Sequence, residues 1–114
     1  MSEELSPVEE LAYPFLELAV KIDAAIQTGA DRETVARLAA DNAALWLYFK
    51  DVQVPTISIV SLDALSLVAQ VTDFLIRVAE QARQEINQEL LGRVVSINLN
   101  MCEVLLKSPE TPTL

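Results

Sequence analysis

The residues that could carry chemistry in this chain are few and lack their usual partners. The sequence contains no histidine, one cysteine, and seventeen acidic residues against eight basic ones. Without histidine, the common zinc-ligand sets and histidine-based acid–base or nucleophilic catalysis are excluded. Carboxylate pairs such as Asp51 and Asp63 are expected by chance among so many acids, and the two glycines are isolated rather than part of a phosphate-binding loop. We therefore expect a protein that is not an enzyme, with no catalytic residue, metal ligand or cofactor.

The single cysteine and the N-terminal segment indicate the compartment. Cys102 cannot form an intramolecular disulfide, and its place on an apolar helix face is typical of a buried, inert thiol rather than a reactive one. The first ten residues, MSEELSPVEE, are acidic and lack the basic and apolar regions of a signal peptide. No apolar run is long enough to cross a bilayer. The sequence thus predicts a cytoplasmic protein with no membrane partner.

Charge and hydrophobicity together point to protein partners. The net charge of −9 repels phosphate backbones, so direct binding of nucleic acid is not expected. At the same time, 52% of the residues are hydrophobic, which is more than one small core can hide. We expect part of this apolar surface to meet another chain.

The apolar spacing predicts one all-α domain, residues 1–114, built as a four-helix bundle with flexible ends at residues 1–6 and 108–114. The first helix begins after Ser6, with Glu9 completing a capping box, and ends at Gly29. Pro14 either kinks this helix or splits it, which would give a fifth helix. The second helix begins after Asp31 and runs to about Asp51.

The third helix, Leu62 to Ala82, is apolar outside one narrow polar stripe, so it is predicted to be the central helix of the bundle. The last helix covers about Asn87 to Lys107, and Gly92 within it suggests a close helix approach. Between the second and third helices, residues 52–60 are predicted to form an extended crossover. This crossover is either a linker pinned to the bundle by apolar side chains or an edge that a partner strand could extend.

Polar and aromatic residues on the apolar stripes are the candidate site. Asn42 and Asn98 fall on inward-facing positions, where an amide needs a hydrogen-bonding partner. They either tie a helix to a loop or anchor a partner in a groove. Trp46 lies with Leu45 and Phe49 near the crossover, a cluster that serves either core packing or a binding hot spot.

Several of these residues also form a family pattern. Its motifs are Asn42, Leu45, Trp46 and Asp51 in the second helix, Phe74 and Leu75 in the third, and Val95, Ser96, Ile97 and Asn98 in the last. The pattern resembles the FlaF family of flagellar regulators over about residues 31–106. The chain departs from that pattern at Ala43, Ala44 and Leu99, where basic residues are common, and at Val104, near an expected glycine.

The resemblance implies a cytoplasmic protein that binds flagellin before export, regulates flagellin synthesis and works alongside the translational regulator FlbT. Flagellin, or another helical protein, would then occupy a groove between the second helix and the crossover. The residues that we predict for this groove are Asn42, Leu45, Trp46, Phe49, Ile57 and Asn98. The alternative is a structural or adaptor homodimer, in which a second copy of the chain covers the surplus apolar surface.

Overall fold

A computed structural model describes residues 4–57, 59–107 and 114. The described residues form four α-helices: α1 (Pro7–Thr28), α2 (Arg32–Tyr48), α3 (Leu62–Ala82) and α4 (Gln88–Leu106). A π-helical turn, Phe49–Gln53, and a 3₁₀ turn, Val54–Thr56, follow α2 directly. The prediction of an all-α helical bundle is confirmed. The predicted flexibility of residues 1–6 and 108–114 falls largely on residues 1–3 and 108–113, which lie outside the described chain.

The helix ends follow the local signals in the sequence. The Ser6 hydroxyl accepts from the Glu9 backbone N–H while the Glu9 carboxylate accepts from the Ser6 N–H, which is the predicted capping box. Asp31 caps α2 and Ser61 caps α3 through the same kind of side-chain bond. Gly29 ends α1 with φ of 66°, a left-handed conformation that glycine adopts without the steric cost of a Cβ.

Pro14 lies inside α1, which continues through it from Pro7 to Thr28. The proline lacks an N–H, so the carbonyl of Glu10 loses its usual partner in the helix. Ala12 and Phe15, on either side of Pro14, are both buried on the face that packs against the bundle. Burial of that face holds α1 together as one helix, so the described residues form four α-helices and not five.

The four described helices pack as two pairs, and α3 does not lie at the centre of the bundle. α1 packs most extensively against α4, α2 packs against α3, and α1 and α2 contact each other between these pairs. α3 approaches α4 at only a few points. The expectation that α3 is the central helix is therefore wrong: it buries the stripe that includes Val68 and Leu75, while Leu67 remains 58% exposed. The apolar residues of α3 serve two surfaces, of which only one is the core.

The crossover is more helical than predicted. The π and 3₁₀ turns extend to Thr56, so extended backbone begins only at Ile57. Val54 and Ile57 are buried and pin the segment to the bundle, as the simpler of the two interpretations expects. Among the described helices, none is both long and apolar enough to cross a membrane.

Candidate functional site

A buried polar cluster joins three of the four helices. Asn98 of α4 donates from Nδ2 to the backbone carbonyl of Phe15 in α1, at 3.2 Å, and to Oδ1 of Asn42 in α2. Its own Oδ1 accepts from Nε1 of Trp46 at 2.9 Å. Asn98 and Asn42 are 0% and 1% exposed, and these bonds replace water for the Asn98 amide and for Oδ1 of Asn42, whereas Nδ2 of Asn42 has no hydrogen-bond partner among the described residues. The cluster fixes how α1, α2 and α4 meet.

Aromatic rings pack around this cluster. The rings of Phe15 and Trp46 lie 5.0 Å apart at 71°, and those of Phe15 and Phe49 lie 5.2 Å apart at 89°. Such edge-to-face pairs place the positive edge of one ring against the negative face of the next. Trp46 is therefore held by its ring contacts and by its hydrogen bond to Asn98 at once.

The structure places most of the predicted site inside the protein. Five of the residues are buried, namely Asn42, Trp46, Phe49, Ile57 and Asn98. Leu45 is half-buried and packs against the same core. Asn42, Trp46 and Asn98 are brought together by hydrogen bonds, as an amide tie between elements requires, although they join helix to helix rather than helix to loop. Direct contact of these buried side chains with a partner stays a prediction.

Cys102 is buried, as the sequence analysis predicts, whereas Tyr48 lies at the surface. Tyr48 is 53% exposed whereas Trp46 is 1% exposed. Cys102 is buried, and desolvation raises the pKa of its thiol, which keeps the less reactive protonated form. Gly92, in contrast, marks no close helix approach, because a Cβ built on it meets nothing within 4 Å.

An open apolar groove lies between α3 and α4. Its first lobe, of about 260 Å³, is lined by Leu67, Val68 and Val71 of α3, by Ile97, Asn100, Met101 and Val104 of α4, and by Trp46. A second lobe, of about 420 Å³, is lined by Phe74 of α3 and by Glu89, Gly92, Arg93, Ser96, Ile97 and Asn100 of α4. Because Ile97 and Asn100 line both lobes, the two lobes form one continuous groove. We call it the α3–α4 groove.

The groove has a firm floor and an exposed apolar rim. Trp46 and Val68, both nearly fully buried, form its floor, while Leu67 and Val104 are 58% and 47% exposed at its mouth. Among the described residues, the charged side chains that line it are Glu89 and Arg93, which pair at 3.1 Å. The lining therefore carries no net charge, although the whole chain carries −9.

Sequence reasoning missed the α3–α4 groove. The apolar residues that α3 contributes to it have the helical spacing of core residues, and the sequence analysis therefore predicts α3 as a central helix rather than as one wall of a groove. The signal that could have found it is the width of the apolar surface on α3, which exceeds what one contact with a neighbouring helix covers. The excess hydrophobic composition pointed to such a surface without locating it.

Two half-buried ionisable groups are perturbed at the start of α1. The pKa of the Glu9 carboxyl is lowered by its bond from the Ser6 backbone, by the Tyr13 hydroxyl at 2.7 Å and by the Ser6 side chain. The same bond to Glu9 raises the pKa of Tyr13. These shifts reflect helix capping. Within the described residues, no group of three or more potential ligands is placed to hold a metal ion.

Comparison of the chain with protein-family models, with curated proteins and with solved structures gave no match. The class of protein is therefore defined by its own geometry: an all-α helical bundle with a neutral apolar groove between two antiparallel helices.

Proposed function

We propose that the chain binds an amphipathic helix of a partner protein in the α3–α4 groove. The observation that carries this proposal is the apolar rim, in which Leu67 and Val104 stay largely exposed above a floor that includes Trp46. From Glu89 to Val104 the groove follows α4 for about 22 Å, given a rise of 1.5 Å per residue. That length accommodates about four turns of a third helix.

The shape and charge of the groove favour a helix over other occupants. Two helices that lie side by side leave a channel into which the apolar stripe of a third helix packs. The paired charges of Glu89 and Arg93 leave the lining neutral, so affinity comes from apolar contact rather than from charge. The negative charge of the chain as a whole disfavours nucleic acid as an occupant.

We further propose that this helix belongs to flagellin, and that the protein is a cytoplasmic export chaperone and regulator of flagellin synthesis. The support is the resemblance to FlaF, carried by Asn42, Leu45, Trp46 and Asn98 among others. The terminal segments of flagellin form amphipathic helices on assembly, and an occupied groove would keep them from polymerising early. In this account Asn98 holds Trp46 in place, and Trp46 supports the groove from below. FlbT is the proposed partner in regulation.

A homodimer is the second candidate. It is favoured by exposed leucines outside the groove, among them Leu65, Leu99 and Leu106, which are each 42% exposed. Size-exclusion chromatography with light scattering, on the chain alone and mixed with monomeric flagellin, separates the two. A monomer that forms a complex with flagellin supports the chaperone. A stable dimer that ignores flagellin contradicts the chaperone and favours the homodimer.

A further inference from the structure

Two sulfur-containing residues of α4 are adjacent in the sequence but differ in their access to the α3–α4 groove. Met101 is half-buried and lines the first lobe of the groove. Cys102 is buried in the core at 5% exposure, and its thiol has a raised pKa. An oxidant attacks the thiolate of a cysteine but the neutral thioether of a methionine, and it must reach either one. Of these two neighbours, Met101 is therefore the one that an oxidant in the groove modifies.

The lining around Met101 offers little to stabilise an added polar group. The indole N–H of Trp46, which lies at the floor, already donates to Asn98 at 2.9 Å. The other side-chain donor in this lobe is the amide of Asn100, which is exposed. The remaining lining residues are apolar, namely Leu67, Val68, Val71, Ile97 and Val104. An oxygen added to Met101 thus depends on water, and a helix docked in the groove would exclude that water.

We propose that Met101 is a reversible oxidation site, at which hydrogen peroxide converts the thioether to a sulfoxide and thereby weakens binding of an apolar helix in the α3–α4 groove. In this step a lone pair of Sδ attacks one peroxide oxygen and the O–O bond breaks. The departing hydroxide takes the proton of the transferred oxygen and leaves as water, so the sulfur loses two electrons and the peroxide gains them. Methionine sulfoxide reductases, which act on the two sulfoxide epimers, reverse the change.

The test compares the full chain with Met101→Leu, which keeps an apolar side chain of similar volume without the sulfur. Both proteins contain Met1, so its oxidation is common to both. After peroxide treatment, peptide mass mapping should show an added oxygen at Met101 and an unmodified thiol at Cys102. The oxidation rate at Met101 should be within about tenfold of that of free methionine.

Trp46 provides a second readout that needs no partner. It is the only tryptophan of the chain and lines the same lobe as Met101. Its fluorescence emission should shift when the wild type is oxidised, return after treatment with the reductases, and stay unchanged in peroxide-treated Met101→Leu. The proposal is overturned if Met101 reacts more slowly than the stated limit, or if oxidation leaves the emission of Trp46 unaltered.

The effect on partner binding rests on the proposed function, and monomeric flagellin is the probe for it. Oxidised wild type should bind flagellin at least about tenfold more weakly than untreated protein, since a sulfoxide without a hydrogen-bond partner would be buried under the docked helix. Met101→Leu should bind equally well before and after peroxide. Equal binding by oxidised and untreated wild type would overturn the proposal. If untreated wild type does not bind flagellin, the flagellin proposal fails, while the rate at Met101 and the emission of Trp46 still decide whether the groove contains an oxidation site.

Discussion

The indole N–H of Trp46 donates to Oδ1 of Asn98 at 2.9 Å, which links α2 to α4 through two fully buried side chains. The bond connects the buried core of the bundle to the groove at its surface, because Trp46 also forms part of the floor of the α3–α4 groove. Asn98 is in turn anchored to Phe15 of α1 through that residue's backbone carbonyl. The groove floor is therefore held in place by α1 and α2 as well as by α3 and α4.

Replacement of Asn98 should cost the bundle a large part of its stability. Asn98→Ala leaves the Trp46 N–H, the Phe15 carbonyl and Oδ1 of Asn42 without their partner in a buried setting. We expect the free energy of unfolding to fall by about 2 to 4 kcal/mol. Urea denaturation measures the change. Asn100→Ala, at an exposed position two residues along the same helix, should change it by less than about 0.5 kcal/mol. Equal midpoints for both variants would show that the polar cluster contributes little.

The two glycines should respond to alanine in opposite directions. Gly29 has φ of 66°, a conformation that strains a residue with a Cβ, so Gly29→Ala should lower the free energy of unfolding by about 1 kcal/mol. Gly92 lies inside α4 with nothing within 4 Å of the added Cβ, so Gly92→Ala should raise it by about 0.5 to 1 kcal/mol. Thermal unfolding followed by circular dichroism tests both. A loss of stability in Gly92→Ala would mean that α4 is packed more tightly there than the structure indicates.

Capping by Glu9 and Asp31 should make stability depend on pH in the acidic range. The pKa of Glu9 is lowered chiefly by its bond from the Ser6 backbone, and that of Asp31 by its bonds from Thr34. A carboxyl whose pKa is lower in the folded state stabilises the fold above its unfolded pKa, and that contribution is lost as the pH falls through the folded pKa. The urea concentration at the unfolding midpoint should therefore decrease as the pH is lowered from about 5 to about 3.

Paired amide variants isolate this effect. Glu9→Gln with Asp31→Asn keeps hydrogen-bonding side chains at both caps but removes their titration, so the double variant should lose less stability over the same pH range. Glu10→Gln with Glu33→Gln changes the net charge equally in the same two helix starts and serves as the control. If the cap variant and the control show the same pH dependence, the capping bonds are not its source.

The helices and the inward asparagines could be predicted from sequence because their signals are local. Ser6 and Asp31 cap helices where the sequence places them, and Asn42 and Asn98 lie on buried stripes as their spacing requires. The role of α3 could not be predicted in the same way. A residue such as Leu67 has the spacing of a core residue, and only the position of α4 decides whether it packs inside or lines an open groove.

The contact between Leu114 and the crossover shows the same limit at longer range. The backbone of Leu114 bonds to that of Ile59 and Ser61. An edge that pairs with another strand is one of two interpretations that the sequence allows for the crossover, but no pattern in the sequence identifies Leu114 as the residue that pairs there. Pairing between distant segments depends on the complete fold. The groove and this contact are thus features of tertiary structure.

The most direct test of the account is a titration of monomeric flagellin against Leu67→Asp and against Leu62→Asp as a matched control. Leu67 lies at the mouth of the groove, whereas Leu62, which is 83% exposed, lies outside it at the start of α3. An aspartate at position 67 would be buried without a partner under the docked helix, so we predict binding at least about tenfold weaker than wild type, with Leu62→Asp unchanged. A folded Leu67→Asp variant that binds flagellin as tightly as wild type would contradict the proposal that the α3–α4 groove receives the partner helix.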